Sequence, residues 1–300
     1  MEFFQYIKNK IIPGRILNLV HFILEPPKYK ELRQAVLDLY SSKKEIINEP
    51  EIQEGLNYLK RNKFTAYPYR WALKYDNLFP EVLWDPENQS FYTLFYGKKM
   101  YFPKRYSKKE IIWITRSILK EQDSCSPHLY LTPGFQPDQN SIVVDAGVAE
   151  GNFALSVIEK AKCLFLIECD HDWMESLRLT FAPWKNKVHF IEKYLSDSES
   201  ETTISIDALI KPENDESYFI KMDIEGYEKK ALRGMKNLIA TNSGIKLDVC
   251  TYHHHNDFSD IQTILKEYDF DFEASKSRIL YYHPGEIPEF RKALIRAWRK

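Results

Sequence analysis

Four short runs place chemically useful side chains beside turns. The first is Val144-Asp145-Ala146-Gly147-Val148-Ala149-Glu150-Gly151-Asn152-Phe153, a D-x-G-x-x-x-G spacing that follows an apolar run and precedes a helix-like one. Glycines there let the backbone turn sharply and pass close to a ligand, and the helix start presents free N–H groups. Ala149 stands where the dinucleotide fingerprint G-x-G-x-x-G has its second glycine, so the run is not that fingerprint. The second run, Leu166-Ile167-Glu168-Cys169-Asp170, ends in an acid suited to ribose hydroxyls, while Asp170 suits a helix N-cap. The third, Phe219-Ile220-Lys221-Met222-Asp223-Ile224-Glu225-Gly226-Tyr227-Glu228, sets two acids at the end of an apolar run, a costly arrangement unless they bind something. The fourth, Cys250-Thr251-Tyr252-His253, ends in an imidazole that can take a proton near neutral pH.

These runs need elements to hold them. From residue 141 apolar runs alternate with helix-period segments. Strands are expected at 141–146, 163–168, 188–191, 218–223, 245–252, 270–274 and 279–282, and helices at 152–161, 171–181, 227–240 and 258–268. Repeated strand–helix units make a mostly parallel, doubly wound sheet with helices on both faces. Asp145, Glu168, Asp223 and His253 then all close strands at the carboxyl edge, where open α/β sheets bind ligands. Ser196-Asp197, after the third strand, adds an acid to that edge.

The chain divides near residue 140. Residues 1–140 carry a net charge of +5 and residues 141–300 one of −6. The first part has helix-period segments at 2–24, 28–40, 50–61 and 107–122, and fourteen aromatics between Phe64 and Tyr106. Those rings can pack a small subdomain or form an acceptor wall. A hairpin is expected there around Gly97-Lys98-Lys99. The stretch 11–24 is amphipathic and too short to span a membrane; it docks on its own domain or lies on a membrane surface. The 44% hydrophobic and 28% charged composition excludes a disordered, collagen-like or coiled-coil chain, and a formal charge of −1 does not favour nucleic-acid binding. Four cysteines without a C-x-x-C pair, and a start lacking an apolar signal run, fit a cytoplasmic protein.

VVDAGVAEGNF, IECD, SIDALI at 205–210, FIKMDIEGYE and the CTYH strand end resemble, in this order, the FkbM family of S-adenosylmethionine-dependent methyltransferases over residues 141–283. The resemblance implies a Rossmann-like methyltransferase sheet, mostly parallel with its last strand antiparallel, behind a mainly helical, aromatic-rich N-terminal region. It implies O-methylation of a hydroxyl on a saccharide or similar metabolite, with surface-glycan biosynthesis as a setting. The segment EQDSCSPHLYL at 121–131 is similar to a feature of a glycan-associated branch. S-adenosyl-L-methionine would meet Asp145, Gly147, Glu150, Gly151, Asn152 and Phe153 at the first turn, Glu168 at the ribose and Asp197 at the adenine amino group. Ala149 departs from the Asn that many members carry there. Methyl transfer needs in-line approach of the acceptor oxygen and loss of its proton. His253 is the expected general base, Asp223 a second base or the orienter of His253, and Glu225 a ligand of the acceptor hydroxyl or the start of a helix. No metal is expected, since consecutive histidines cannot converge on one ion from a strand; the competing set is Asp223, Glu225 and His253 around a divalent ion. Two other functions compete: a nucleotide-dependent oxidoreductase and an inactive cofactor-binding scaffold.

Overall fold

The structure, a computed structural model, describes residues 27–42, 49–212 and 216–299. The helix-period segment expected over 2–24, with its amphipathic stretch 11–24, lies outside the described residues. Helices α1 (Lys28–Ser42) and α2 (Pro50–Leu59) come first. They pack Val36, Tyr40, Ile52, Leu56 and Leu59 against Leu280 and Phe290 from late in the chain. Strands β1 (Leu83–Asp85), β2 (Ser90–Phe95) and β3 (Lys98–Tyr101) form an antiparallel meander. Its second turn is Tyr96-Gly97, slightly earlier than expected. Both residues have positive φ, 50° and 73°, as a two-residue hairpin turn requires. Helix α3 (Lys108–Glu121) starts at a capping box between Ser107 and Glu110.

The alternating half then runs β4 (Ile142–Ala146), α4 (Asn152–Val157), β5 (Cys163–Ile167), α5 (His171–Thr180), β6 (Val188–Ile191), the short pair β7 (Tyr194–Leu195) and β8 (Thr203–Ile204), α6 (Ile206–Leu209), β9 (Tyr218–Met222), α7 (Glu228–Arg233), α8 (Lys236–Thr241), β10 (Ile245–Cys250), α9 (Asp257–Glu267), β11 (Asp271–Ala274), β12 (Ile279–Tyr281), β13 (Glu289–Arg291) and β14 (Leu294–Trp298). Seven strands form one sheet in the order β11-β14-β10-β9-β4-β5-β6. The expected doubly wound, mostly parallel sheet is present, with β14 antiparallel to both neighbours. The order reverses at β4, between β9 and β5, which opens a crevice at their carboxyl ends.

Two elements differ from expectation. The segment at 279–282 does not close the sheet; β12 pairs with β13 in a separate ribbon, and Leu294–Trp298 supplies the antiparallel strand. The helix expected at 227–240 is two helices, broken at Gly234, where an added Cβ would lie 2.2 Å from the Ser196 carbonyl oxygen.

Strand residues alternate between two cores. Val144, Ile220, Met222, Leu247 and Val249 face Leu232, Leu238 and Ile261 of α7–α9. Val143, Leu164, Phe219 and Leu294 face the other way, into a cluster that includes Phe153 and Trp173 but also Tyr69, Phe102, Ile111 and Ile114 from the first part of the chain. Residues before 141 thus complete one face of the sheet.

Candidate active site

At the crevice the first turn is pinned from both neighbouring strands. Gly147 has φ +72°, and a Cβ there would sit 1.9 Å from the Asp223 carbonyl oxygen. Only glycine lets the ends of β4 and β9 approach this closely. Lys221, fully buried on β9, places its ammonium 2.9 Å from Asp145 Oδ1 and donates to the Gly147 carbonyl at 2.7 Å. A buried ammonium needs such partners, so the lysine inside KMDIEGYE ties Asp145 to the turn. Glu168 does the same from β5. Its Oε2 accepts the Ala149 N–H and its Oε1 the Asp170 N–H, each at 2.9 Å. Burial raises the Glu168 pKa, and those two N–H donors pull against it.

Of the other first-turn residues, Gly151 caps α4 in the left-handed region, Glu150 and Asn152 are buried behind the turn, and Phe153 stacks on Phe219 in the core. Asp170 takes the N-cap place expected of it, accepting from Asp172 N–H at 2.9 Å, and pairs with Arg105. Asp197 is exposed in the loop after β7, where its neighbour Ser196 packs on Gly234. The groups that do gather beside Glu168 are Cys169 and Tyr194. Burial and the Glu168 charge push the Cys169 thiol up to about 12.

The end of β9 carries a denser cluster. Asp223 is 4% exposed and accepts hydrogen bonds from Tyr130 at 2.8 Å and Tyr252 at 3.0 Å. His253 lies with Nδ1 3.0 Å from Glu228 Oε1 and Nε2 3.4 Å from Asp223 and 3.7 Å from Glu225. Burial opposes charge on this imidazole, but the carboxylates of Glu228, Asp223 and Glu225 outweigh it and hold its pKa well above the ordinary value. The surrounding carboxylates thus favour the protonated form of His253. Behind it, His128 Nε2 meets the Tyr252 hydroxyl at 3.2 Å, and Nδ1 lies 3.3 Å from Glu121. His254 and His255 diverge, one packed on Gly226 and the other paired with Glu289.

Ligand atoms of Asp223, Glu228 and His253 lie within 4.8 Å of one another, as do those of His128, Asp223 and Cys250. The first set has Glu228 where sequence spacing pointed to Glu225. A ligating imidazole must be neutral, so the imidazolium and a metal ion are alternative occupants of that carboxylate nest. Tyr130, His128 and Glu228 escaped sequence reasoning as site residues. The first two come from a loop far upstream, and Glu228 reads as an ordinary helix start.

Glu225 and His253 also line a cavity of about 500 Å³. Its walls are aromatic, with Tyr58, Phe64, Tyr67, Trp113, Tyr281 and Tyr282, and bear Lys63, Arg116 and Lys120. Of the aromatic stretch 64–106, Phe64 and Tyr67 reach this space, while Tyr69, Phe95 and Phe102 pack the core. Among the described residues no helix is long and apolar enough to cross a membrane.

Comparison with known proteins shows the family. A model of the methyltransferase FkbM domain matches residues 121–272. Among solved structures, the chain is similar to methyltransferase FkbM from Methylobacillus flagellatus KT, at 19% identity and a TM-score of 0.45, over 66% of this chain and 56% of that one. It is also similar to precorrin-6y C5,15-methyltransferase from Geobacter metallireducens GS-15, at 13% identity and a TM-score of 0.38, over 54% and 81% of the two chains. A methyltransferase-like protein from Streptococcus mutans in complex with SAH aligns at 15% identity and a TM-score of 0.40, over 55% and 91%. No curated protein matches the sequence.

Proposed function

The chain belongs to the FkbM methyltransferase family, and from that premise we propose that it moves the methyl group of S-adenosylmethionine onto a hydroxyl of a saccharide or similar metabolite. The observation that carries the acceptor side is the aromatic cavity opening on Glu225 and His253. Flat apolar walls with a few polar groups at one end suit a ring that must be oriented as well as bound. In this reading residues 1–140 serve as the acceptor-binding wall of a methyltransferase domain at 141–300. The four free cysteines suit a reducing cytoplasm.

The cofactor fits the donor set at the switch point. Glu168, which accepts the Ala149 and Asp170 N–H groups at the end of β5, stands where ribose hydroxyls would be held. Asp145, Gly147, Glu150, Gly151, Asn152 and Phe153 form the turn against which its methionine end lies, and Asp197 is left to the adenine amino group. When bound, S-adenosylmethionine supplies an electrophilic methyl on a cationic sulfur. The carboxylates of Asp145, Glu150 and Glu168 suit that positive charge.

The proton of the acceptor hydroxyl goes to Glu225, whose side chain is 27% exposed at the cavity wall. In this reading His253, with Nε2 3.7 Å from Glu225, steadies that carboxylate. Asp223, braced by Tyr130 and Tyr252, fixes His253 in turn. Isothermal titration with S-adenosylhomocysteine, followed by a labelled-methyl screen of glycans, tests the function. Binding followed by label in an alkali-stable ether supports it; NADH binding in place of S-adenosylhomocysteine, or no labelled acceptor, refutes it. Glu225→Gln should lower turnover by about 10²–10⁴-fold with S-adenosylhomocysteine affinity unchanged.

A further inference from the structure

The charges lining the acceptor cavity are not evenly matched. One wall is a face of α3, where Trp113, Arg116, Ser117, Lys120 and Glu121 recur at helical spacing. Lys120 pairs with the Asp76 carboxylate at 2.9 Å. Glu121 lies 3.3 Å from His128, and Glu225 lies 3.7 Å from His253. Arg116 differs. Its Nη1 donates to the Asp76 backbone carbonyl at 2.9 Å, and among the described residues no carboxylate lies within ion-pair distance of its guanidinium. A half-buried guanidinium with one neutral partner keeps most of its five donors and all of its charge for a ligand. Glu121 stands at the polar floor, against the His128–Tyr252–Asp223 chain. Arg116 is five residues earlier on the same helix, about 7–8 Å along its axis.

We propose, resting on the acceptor reading above, that the natural acceptor bears a carboxylate or phosphate about one sugar ring from the hydroxyl that is methylated, and that Arg116 binds this anion. The hydroxyl meets Glu225 at the floor, the ring lies between Trp113 and Tyr281, and the anion takes the guanidinium in a forked contact. Arg116 is then a specificity-determining residue. It ranks acceptors by charge without touching the transferred methyl.

Binding, read without turnover, tests this. The full chain is titrated with D-glucuronate, glucose 6-phosphate and the neutral methyl glucoside, with S-adenosylhomocysteine present throughout. At least one anionic probe should bind about tenfold or more tighter than the neutral one. That preference should shrink as salt rises, vanish in Arg116→Gln and return in part in Arg116→Lys. Preference for glucuronate or for the phosphate identifies which anion the site takes. Equal affinity for charged and neutral probes, no binding of any of the three, or an unchanged preference in Arg116→Gln overturns the proposal. Failure of the methyltransferase reading shows separately, as loss of the S-adenosylhomocysteine signal itself.

Discussion

Asp223 gathers more partners than any other acid at the rim, and its behaviour can be tested atom by atom. Tyr130→Phe and Tyr252→Phe each delete one hydroxyl bound to its carboxylate. A hydrogen bond to a charged group contributes about 1.5–3 kcal/mol. Each variant should lose about 10–100-fold in kcat, with S-adenosylhomocysteine affinity in titration held. His253 makes a second test through pH. Its folded pKa is raised, so its contribution to stability is complete below about 6.5, the unfolded value, and is lost as pH rises through the folded one. Asp248 acts with the same sign. Burial lifts its carboxyl to about 8, against Arg296 and Lys221, so folding loses stability as pH climbs from about 4 through that value. Urea unfolding from pH 5 to 10 should fall with pH; Asp248→Asn should flatten the lower part of the slope and His253→Gln the alkaline part. The strand-end acids were legible because an apolar run interrupted by Asp or Glu is conspicuous. The raised pKa of His253 was not, because it depends on three carboxylates that only the folded turn brings together.

Elements decide how tolerant the rim is. The turn after β4 works only if Gly147 stays bare. Gly147→Ala must clear the Asp223 carbonyl at a positive φ, and should cost about 2–4 kcal/mol in urea unfolding and abolish S-adenosylhomocysteine binding. Ala149 also has positive φ, 46°, and its N–H serves Glu168. Ala149→Gly relieves the left-handed backbone without losing that donor, and should stabilise by up to about 1 kcal/mol. The parallel strands and their connecting helices were readable from period and length alone. The closing strand was not. Leu294–Trp298 includes Arg296, buried between sheet and loop with its Nε donating to the Tyr130 carbonyl, so its charge disguises a central strand. The break at Gly234 was hidden for a related reason, since helical spacing continues across it and only contact with Ser196 demands it.

At the scale of the molecule, residues before 141 are part of the same interior as the sheet. Tyr101 N–H donates to Thr180, Phe102 packs on Trp173, and Tyr130 reaches Asp223. A chain beginning at Ser141 would expose the apolar face around Val143, Leu164 and Phe219 and strip one donor from Asp223. It should bind the dye ANS strongly and lose its near-ultraviolet circular dichroism, whereas the full chain should do neither. The strand order has a consequence for biosynthesis. β14 lies between β10 and β11, so until a segment made after them leaves the ribosome β10 keeps one edge bare and β11 lacks its sheet partner. A polypeptide stalled before Leu294 offers β10 as an open template to other nascent chains. Release of the chain before Leu294 would leave that edge open for good, and such a product should collect in inclusion bodies.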